Sequence, residues 1–214
     1  MKEMILINGL AVMALVSGAA MADGEAYLGL GTTGYTVGYT YPLSETSGIR
    51  AEYNGMDYSH NVSSASETYN AKIKLSNLGA YYDYHIAGGF RATVGLVETN
   101  SKFTGTATAS SGTYTINGTS YSAAGETLGF EAKMPSTMPY FGLGYGHVAS
   151  NSGWGFYGDI GFLYGKPKSQ LNASSGLVAA AGQTNIDVEN QKLQDQLNKF
   201  EFYPVLQVGA SYTF

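Results

Sequence analysis

The chain has 214 residues, no cysteine and a formal net charge of −5, with 29 Gly, 18 Tyr and 9 Phe against 13% charged residues. This length suits one domain, the missing thiols exclude a lipoprotein anchor and a disulfide framework, and an acidic balance without a basic stripe excludes nucleic acid as a partner. Aromatic residues and glycine at low charge suit strands, and beyond the amino terminus no window approaches the roughly 20 apolar residues of a membrane helix.

Residues 4–16 are apolar and lead through small residues to Ala20-Met21-Ala22 ahead of the acidic Asp23-Gly24-Glu25. An h-region followed by an A-x-A site predicts a signal peptide over 1–22, although its n-region holds only Lys2 beside Glu3, and leaves a single mature domain over 23–214. Two short alternating segments follow, 27–31 with Leu28 and Leu30 on one face and 35–41 with Tyr35, Val37, Tyr39 and Tyr41 on one face. The apolar parity switches between them, which predicts a tight hairpin at Thr32-Thr33-Gly34, with one bulged strand as the alternative. Segments 49–58 and 71–85 come next, separated by the polar stretch 60–68. Segment 90–103 follows Ala87-Gly88-Gly89 and sets Phe90, Ala92, Val94 and Leu96 opposite Arg91, Thr93 and Gly95. In 126–148, Leu128, Phe130, Ala132 and Met134 share a face, but Phe141, Leu143 and Tyr145 fall on the other parity, which predicts a bulge at 135–139. Segment 154–166 sets Phe156, Ile160, Phe162 and Tyr164 opposite Tyr157, Asp159 and Leu163. The eighth, 200–214, alternates strictly, with Phe200, Phe202, Pro204, Leu206, Val208, Ala210, Tyr212 and Phe214 on one face.

Eight alternating segments predict an all-β fold, an eight-stranded antiparallel transmembrane β-barrel of the outer-membrane type. A terminal Phe214 with Tyr212 before it resembles the closing strand that such barrels present to the barrel-assembly machinery, so the expected partners are that machinery and outer-membrane lipid. With the carboxyl terminus on the periplasmic side, the short connections 42–47, 87–89 and 149–153 become periplasmic turns. The longer 60–68, 104–125 and 171–199 become extracellular. Aromatics then gather as Tyr41, Tyr84, Phe90, Trp154, Tyr212 and Phe214 at the inner ends, and as Tyr58, Tyr69, Phe103, Phe130, Tyr164 and Phe200 at the outer ends. Asn117-Gly118 within 112–122 predicts a type I′ hairpin beyond the membrane. Val188, Leu193, Leu197 and Phe200 at helical spacing predict a short helix over 185–199 between the last two strands, acting as a moving lid or as an inert plug.

By the same parity, the lumen is predicted to be lined by Arg50, Glu52, Asn54, Lys72, Lys74, Arg91, Glu131, Lys133, Asp159, Glu201 and Gln207. Both signs are present. They form either a network of ion pairs that seals a narrow interior or a polar path for a small zwitterionic or cationic solute, with Glu52, Glu131, Asp159 and Glu201 as acceptors. The chemistry of an enzyme is not predicted. The fragment His147-Val-Ala-Ser150-Asn151 resembles the His/Ser pair of lipid A deacylases, but its spacing is one residue too long and it falls at a periplasmic turn. No cofactor motif or metal-ligand cluster is visible, because His60, His85 and His147 are spread over different strand ends.

Several blocks resemble one family in order along the chain: Leu30-Gly31-Thr32-Thr33-Gly34-Tyr35, Met138-Pro139-Tyr140-Phe141-Gly142-Leu143-Gly144, Gly155-Phe156-Tyr157-Gly158-Asp159-Ile160-Gly161 leading to Gly165-Lys166-Pro167, and Tyr203-Pro204-Val205-Leu206-Gln207-Val208-Gly209. They look like the ornithine-uptake porin (CarO) family of small Gram-negative outer-membrane proteins. That resemblance implies an eight-stranded barrel of porin or uptake type associated with passage of basic amino acids, and it assigns no position a role. The alternative is a non-conducting structural or surface-interaction barrel whose outer segments meet external partners.

Overall fold

The structure is a computed structural model that describes residues 24–63, 67–109, 112–122, 124–147 and 152–214. The leader predicted over 1–22, and Ser150 and Asn151 of the His/Ser fragment, lie outside the described residues. Thirteen strands are formed among the described residues: β1 (Glu25–Gly31), β2 (Gly34–Ser44), β3 (Ser47–Ser63), β4 (Glu67–Ala87), β5 (Phe90–Thr99), β6 (Lys102–Ala109), β7 (Thr113–Ile116), β8 (Thr119–Ser122), β9 (Thr127–Lys133), β10 (Thr137–Tyr145), β11 (Gly153–Tyr164), β12 (Lys168–Ala173) and β13 (Phe202–Thr213). Two helices, α1 (Ser175–Ala181) and α2 (Gln183–Leu197), precede β13.

Eight of the strands close into an antiparallel ring, β1-β2-β3-β4-β5-β10-β11-β13 and back to β1. The ring begins and ends at one rim, where Glu25 pairs with Thr213. That rim is the near rim below, and the opposite one the far rim. Residues 27–41 form the hairpin rather than one bulged strand. Gly31 pairs with Gly34 across the two-residue loop Thr32-Thr33, and Gly34 sits at φ 99, where only glycine is unstrained.

Beyond the far rim the ladder does not stop. The outer part of β4 pairs with β6, β6 with β9, and β9 with β12, so that half of the wall rises above the ring as an open sheet. β3 and β4 run through both parts in one continuous register, from Ser47↔Tyr84 to Ser63↔Thr68. The passage from β9 to β10 is equally continuous against β6 and β5: Lys102 faces Lys133, Glu98 faces Thr137, and the Met134 and Thr99 amides bridge the gap at 3.1 and 2.8 Å. The bulge predicted at 135–139 is therefore absent. The parity of apolar residues changes there because the surroundings change, while the strand keeps its pleat.

That inversion runs across the whole extension. In the ring, most alternate residues facing out are apolar, among them Leu78, Leu96, Phe141 and Phe162, and those facing in are polar, glycine or tyrosine except for an apolar layer of Val97, Met138, Leu163 and Val205 toward the far rim. In the extension, the continuation of the outer face carries Asp57, Lys72, Lys74, Lys102, Glu131, Lys133 and Lys168, and the continuation of the inner face carries Tyr58, Tyr69, Ile73, Phe103, Phe130 and Leu171. Tyr58, Tyr69, Phe103 and Phe130, predicted as an outer girdle, thus face the axis side of the extension. The near-rim aromatics do stand on the outer wall, with Trp154 81% exposed.

A second hydrophobic core forms on the inner face of the extension. Ile116 from the β7–β8 hairpin meets Leu177, Ala181 and Ile186 from the helices, against Leu128, Leu171 and Ala173 of the sheet. The hairpin turns at Asn117-Gly118, with φ 50 and 79 as a type I′ turn requires. Its tip is tied to α2: the Asn117 amide donates to Glu189 at 3.0 Å, its side chain to Asn185 at 3.0 Å, and Lys192 donates to Asn117 at 2.9 Å.

The glycine content has a packing cause inside the ring. Each of four inward tyrosines covers glycines of its own strand, of a neighbouring strand or of the next but one: Tyr27 covers Gly38, Tyr81 covers Gly79 and Gly95, Tyr140 covers Gly142 and Gly161, and Tyr157 covers Gly209 and, two strands away, Gly29. A small lumen holds four large rings only where the wall beneath them has no side chain. Valine at Gly95 would overlap the Tyr81 ring and place its Cβ 2.7 Å from the Ala80 carbonyl oxygen. We expect Gly95→Val to lower stability by about 1–3 kcal/mol, read as a lower urea midpoint of the vesicle-inserted protein by fluorescence of Trp154, the single tryptophan.

Candidate functional site

The candidate site is the interior of the ring, where strands that are not neighbours meet through charged side chains. Arg50 on β3, Asp83 on β4, Arg91 on β5 and Asp159 on β11 all turn inward at the level nearer the terminal rim. Arg50 Nε donates to Asp83 Oδ2 at 3.0 Å, and its NH1 reaches Asp159 Oδ2 at 3.5 Å. Arg91 NH2 donates to Asp159 Oδ1 at 2.5 Å and NH1 to the Gly146 carbonyl at 3.1 Å, while Nε lies 3.3 Å from Asp83 Oδ1. Thr93 completes the cluster by donating to Asp83 at 2.5 Å. Two guanidinium groups therefore bar the lumen from β3 and β5 across to β11.

Glu52 links this bar to the rest of the interior. It accepts from Arg50 at 3.2 Å, from the Tyr27 and Tyr81 hydroxyls at 2.9 Å each, and from Asn54 at 3.0 Å. Asn54 in turn accepts from Thr36 at 2.6 Å and Thr33 at 3.0 Å, and Gln207 donates to Tyr157 at 3.2 Å. The Arg50 guanidinium also lies 4.7 Å over the Tyr81 ring. Toward the far rim the interior becomes apolar, closed by Tyr81, Val97, Met138, Tyr140, Leu163 and Val205. At the near rim, buried His147 bonds Glu25 through Nδ1, and Thr213 donates to Glu25 at 3.2 Å. Burial, with Arg50 and then Arg91 behind it, pushes the His147 imidazole well below its ordinary value.

Arg50, Glu52, Asn54, Arg91, Asp159 and Gln207 are at most 6% exposed, as are Asp83 and Thr93. Side chains lining a water-filled passage would be open to water, whereas these are sealed by one another. The ring is closed by ion pairs in one layer and by apolar packing in the next.

The structure brings those six of the predicted residues into the interior and leaves the other five outside it. Lys72, Lys74, Glu131 and Lys133 stand on the outer face of the extension, where Glu131 binds Lys102 at 2.9 Å. Glu201 sits just ahead of β13 and pairs with exposed Lys166 at 2.8 Å, which raises the lysine above its ordinary value. For the four on the extension the physical reason is the inversion described above, since charge marks the inner face only where the outer face must be apolar, whereas Glu201 keeps the inward parity but lies before the first residue of β13. Asp83, Tyr27, Tyr81 and Tyr140 were missed by sequence reasoning, which sets Thr93 on the face of Arg91 and Tyr157 on the face of Asp159 without giving either a role. Following Leu78, Ala80, Tyr82 and Tyr84 outward along β4 would have turned Asp83 inward, and a carboxylate on an apolar wall was the available signal. Among the described residues no group of three or more His, Asp or Glu is placed to hold a metal ion.

A scan against protein-family models and a search of curated proteins found no match. Among solved structures, the chain is similar to CarO2 of Acinetobacter baumannii, with TM-score 0.62 and 20% identity over 90% of this chain and 99% of that one. It is likewise similar to CarO of the same organism, with TM-score 0.59 and 19% identity over 91% and 99%. By fold, over about nine-tenths of its length, the chain is a CarO-like β-barrel.

Proposed function

We propose that the protein is a small outer-membrane β-barrel of a Gram-negative bacterium, closed to solute, which anchors a folded extracellular head. The apolar outer wall with near-rim aromatics supports the membrane location, and Phe214 is the proposed contact for the barrel-assembly machinery. The near rim is then periplasmic and the far rim extracellular. The carrying observation for closure is the sealed bar of Arg50, Asp83, Arg91 and Asp159. A buried set of this kind is costly to break, because each lost pair leaves a charge without water or partner.

A second reading, porin-type uptake of a small basic amino acid, draws on a different detail. Glu52, Asp83 and Asp159 outnumber Arg50 and Arg91 in the cluster, so an entering cation would find carboxylates able to exchange partners. Purified protein in liposomes separates the two. We expect no single-channel conductance, and no ornithine or arginine uptake above empty vesicles. Saturable uptake of either amino acid that is abolished by Asp159→Asn would instead establish the porin reading.

A further inference from the structure

The extension places four lysines in one cross-strand row: Lys74 on β4 opposite Lys102 on β6, Lys102 opposite Lys133 on β9, and Lys133 opposite Lys168 on β12. All four stand on the outer face, at the first level above the far rim, directly over the apolar wall that carries Leu78, Leu96 and Phe162. Neighbouring strands lie about 4.8 Å apart, so the row spans roughly 14 Å. Like charges directly opposite each other repel and destabilise a sheet. Three in succession along one ladder need a counter-charge.

The protein supplies only part of it. Glu131 pairs with Lys102, and Asp57 faces Lys74 from β3. Among the described residues Lys74, Lys133 and Lys168 take part in no ion pair. Lys72, one level higher on the same face, adds to the excess, and Lys166 beside the row is neutralised by Glu201. Glu98, on the ring's outer face below Lys102, lies on the apolar side of the boundary.

We propose that this row binds the phosphate groups of a phosphorylated lipid headgroup in the leaflet at the far rim. The inference rests on the membrane reading above. A lipid whose acyl chains lie along the apolar wall carries its anionic headgroup to the height of the row, where ammonium groups on extended stems meet phosphate oxygens. Charge complementarity and continuity with the apolar wall together select a lipid over a soluble anion.

The test uses the full mature chain refolded into phosphatidylcholine nanodiscs containing a diphosphorylated acyl-disaccharide, and reads glycolipid retained on the released protein by native mass spectrometry. The comparison protein carries Lys74→Gln, Lys102→Gln, Lys133→Gln and Lys168→Gln together, and a second carries Arg at the same four positions. We expect the Gln protein to bind at least about tenfold more weakly, and the Arg protein to bind as the parent does. Removing the phosphates from the glycolipid should abolish the difference. Equal retention by the parent and Gln proteins, or equal retention of the dephosphorylated lipid, overturns the proposal. Full displacement by inorganic phosphate at matched concentration also overturns it, since the row would then be an ion site. Insertion is read separately by the heat-dependent gel mobility of a folded barrel. A chain that never inserts overturns the membrane reading itself, whereas one that inserts without retaining the glycolipid overturns the row alone.

Discussion

Replacing Arg91 by methionine is expected to lower the stability of the barrel by about 3–5 kcal/mol, the cost of removing one partner from a buried charge set. Arg91 is inaccessible to solvent, and its guanidinium is the shared partner of Asp83, Asp159 and the Gly146 carbonyl. Without it, two carboxylates compete for Arg50, which also serves Glu52. Methionine fills much of the volume, so the loss reports charge more than cavity. Urea unfolding of the vesicle-inserted protein, followed through Trp154, gives the value directly. Combining Arg91→Met with Asp159→Leu should recover about 0.5–3 kcal/mol relative to additivity, because the second change removes a carboxylate that the first left unpaired. An additive double variant would mean that the ion bar does not hold the ring closed.

Deleting Phe214 is expected to have the opposite profile, with a small effect in a test tube and a large one in a cell. In the folded protein Phe214 is partly exposed, donates one backbone hydrogen bond to Gly24 at 3.0 Å and sets its ring 5.4 Å from Tyr212. Losing so little should cost about 1 kcal/mol or less of stability. Unassisted refolding into vesicles should proceed as before. If the terminal aromatic is what the assembly machinery grips, most of the folded, heat-shifted form should vanish from cell membranes in the deletion and return with Phe214→Tyr. Normal membrane levels of the deletion would exclude that role.

The architecture of the ring was legible because a wall that separates two unlike surroundings writes its alternation into every strand. Phe202 to Tyr212 on β13 and Phe90 to Leu96 on β5 show it plainly, and the short turns at one rim follow from it. Half of the interior was legible for the same reason. What misled the reading was the assumption that one rule of polarity governs each strand from end to end. Along β4, Lys74 and Leu78 share a face, and along β9 and β10, Phe130 and Met138 share the other. No local property of those residues announces the change of surroundings. The cross-strand pairs reveal it, and pairing is long-range information that periodicity does not contain. The hairpin tip at Asn117-Gly118 was readable because its backbone demands are local, whereas its docking on Asn185 and Glu189 joins residues distant in the chain.

The unbroken register between ring and extension has a mechanical consequence. Because β3 and β4 pass from one to the other without a bulge, a pull on the head beyond the far rim runs along the strand axes into the wall. Hydrogen bonds between antiparallel strands lie across that direction, so many of them carry the load together in shear instead of opening one after another. On the function proposed above, a tether of this kind would resist being torn from a cell surface, while the ion-paired interior below it stays closed under the same force.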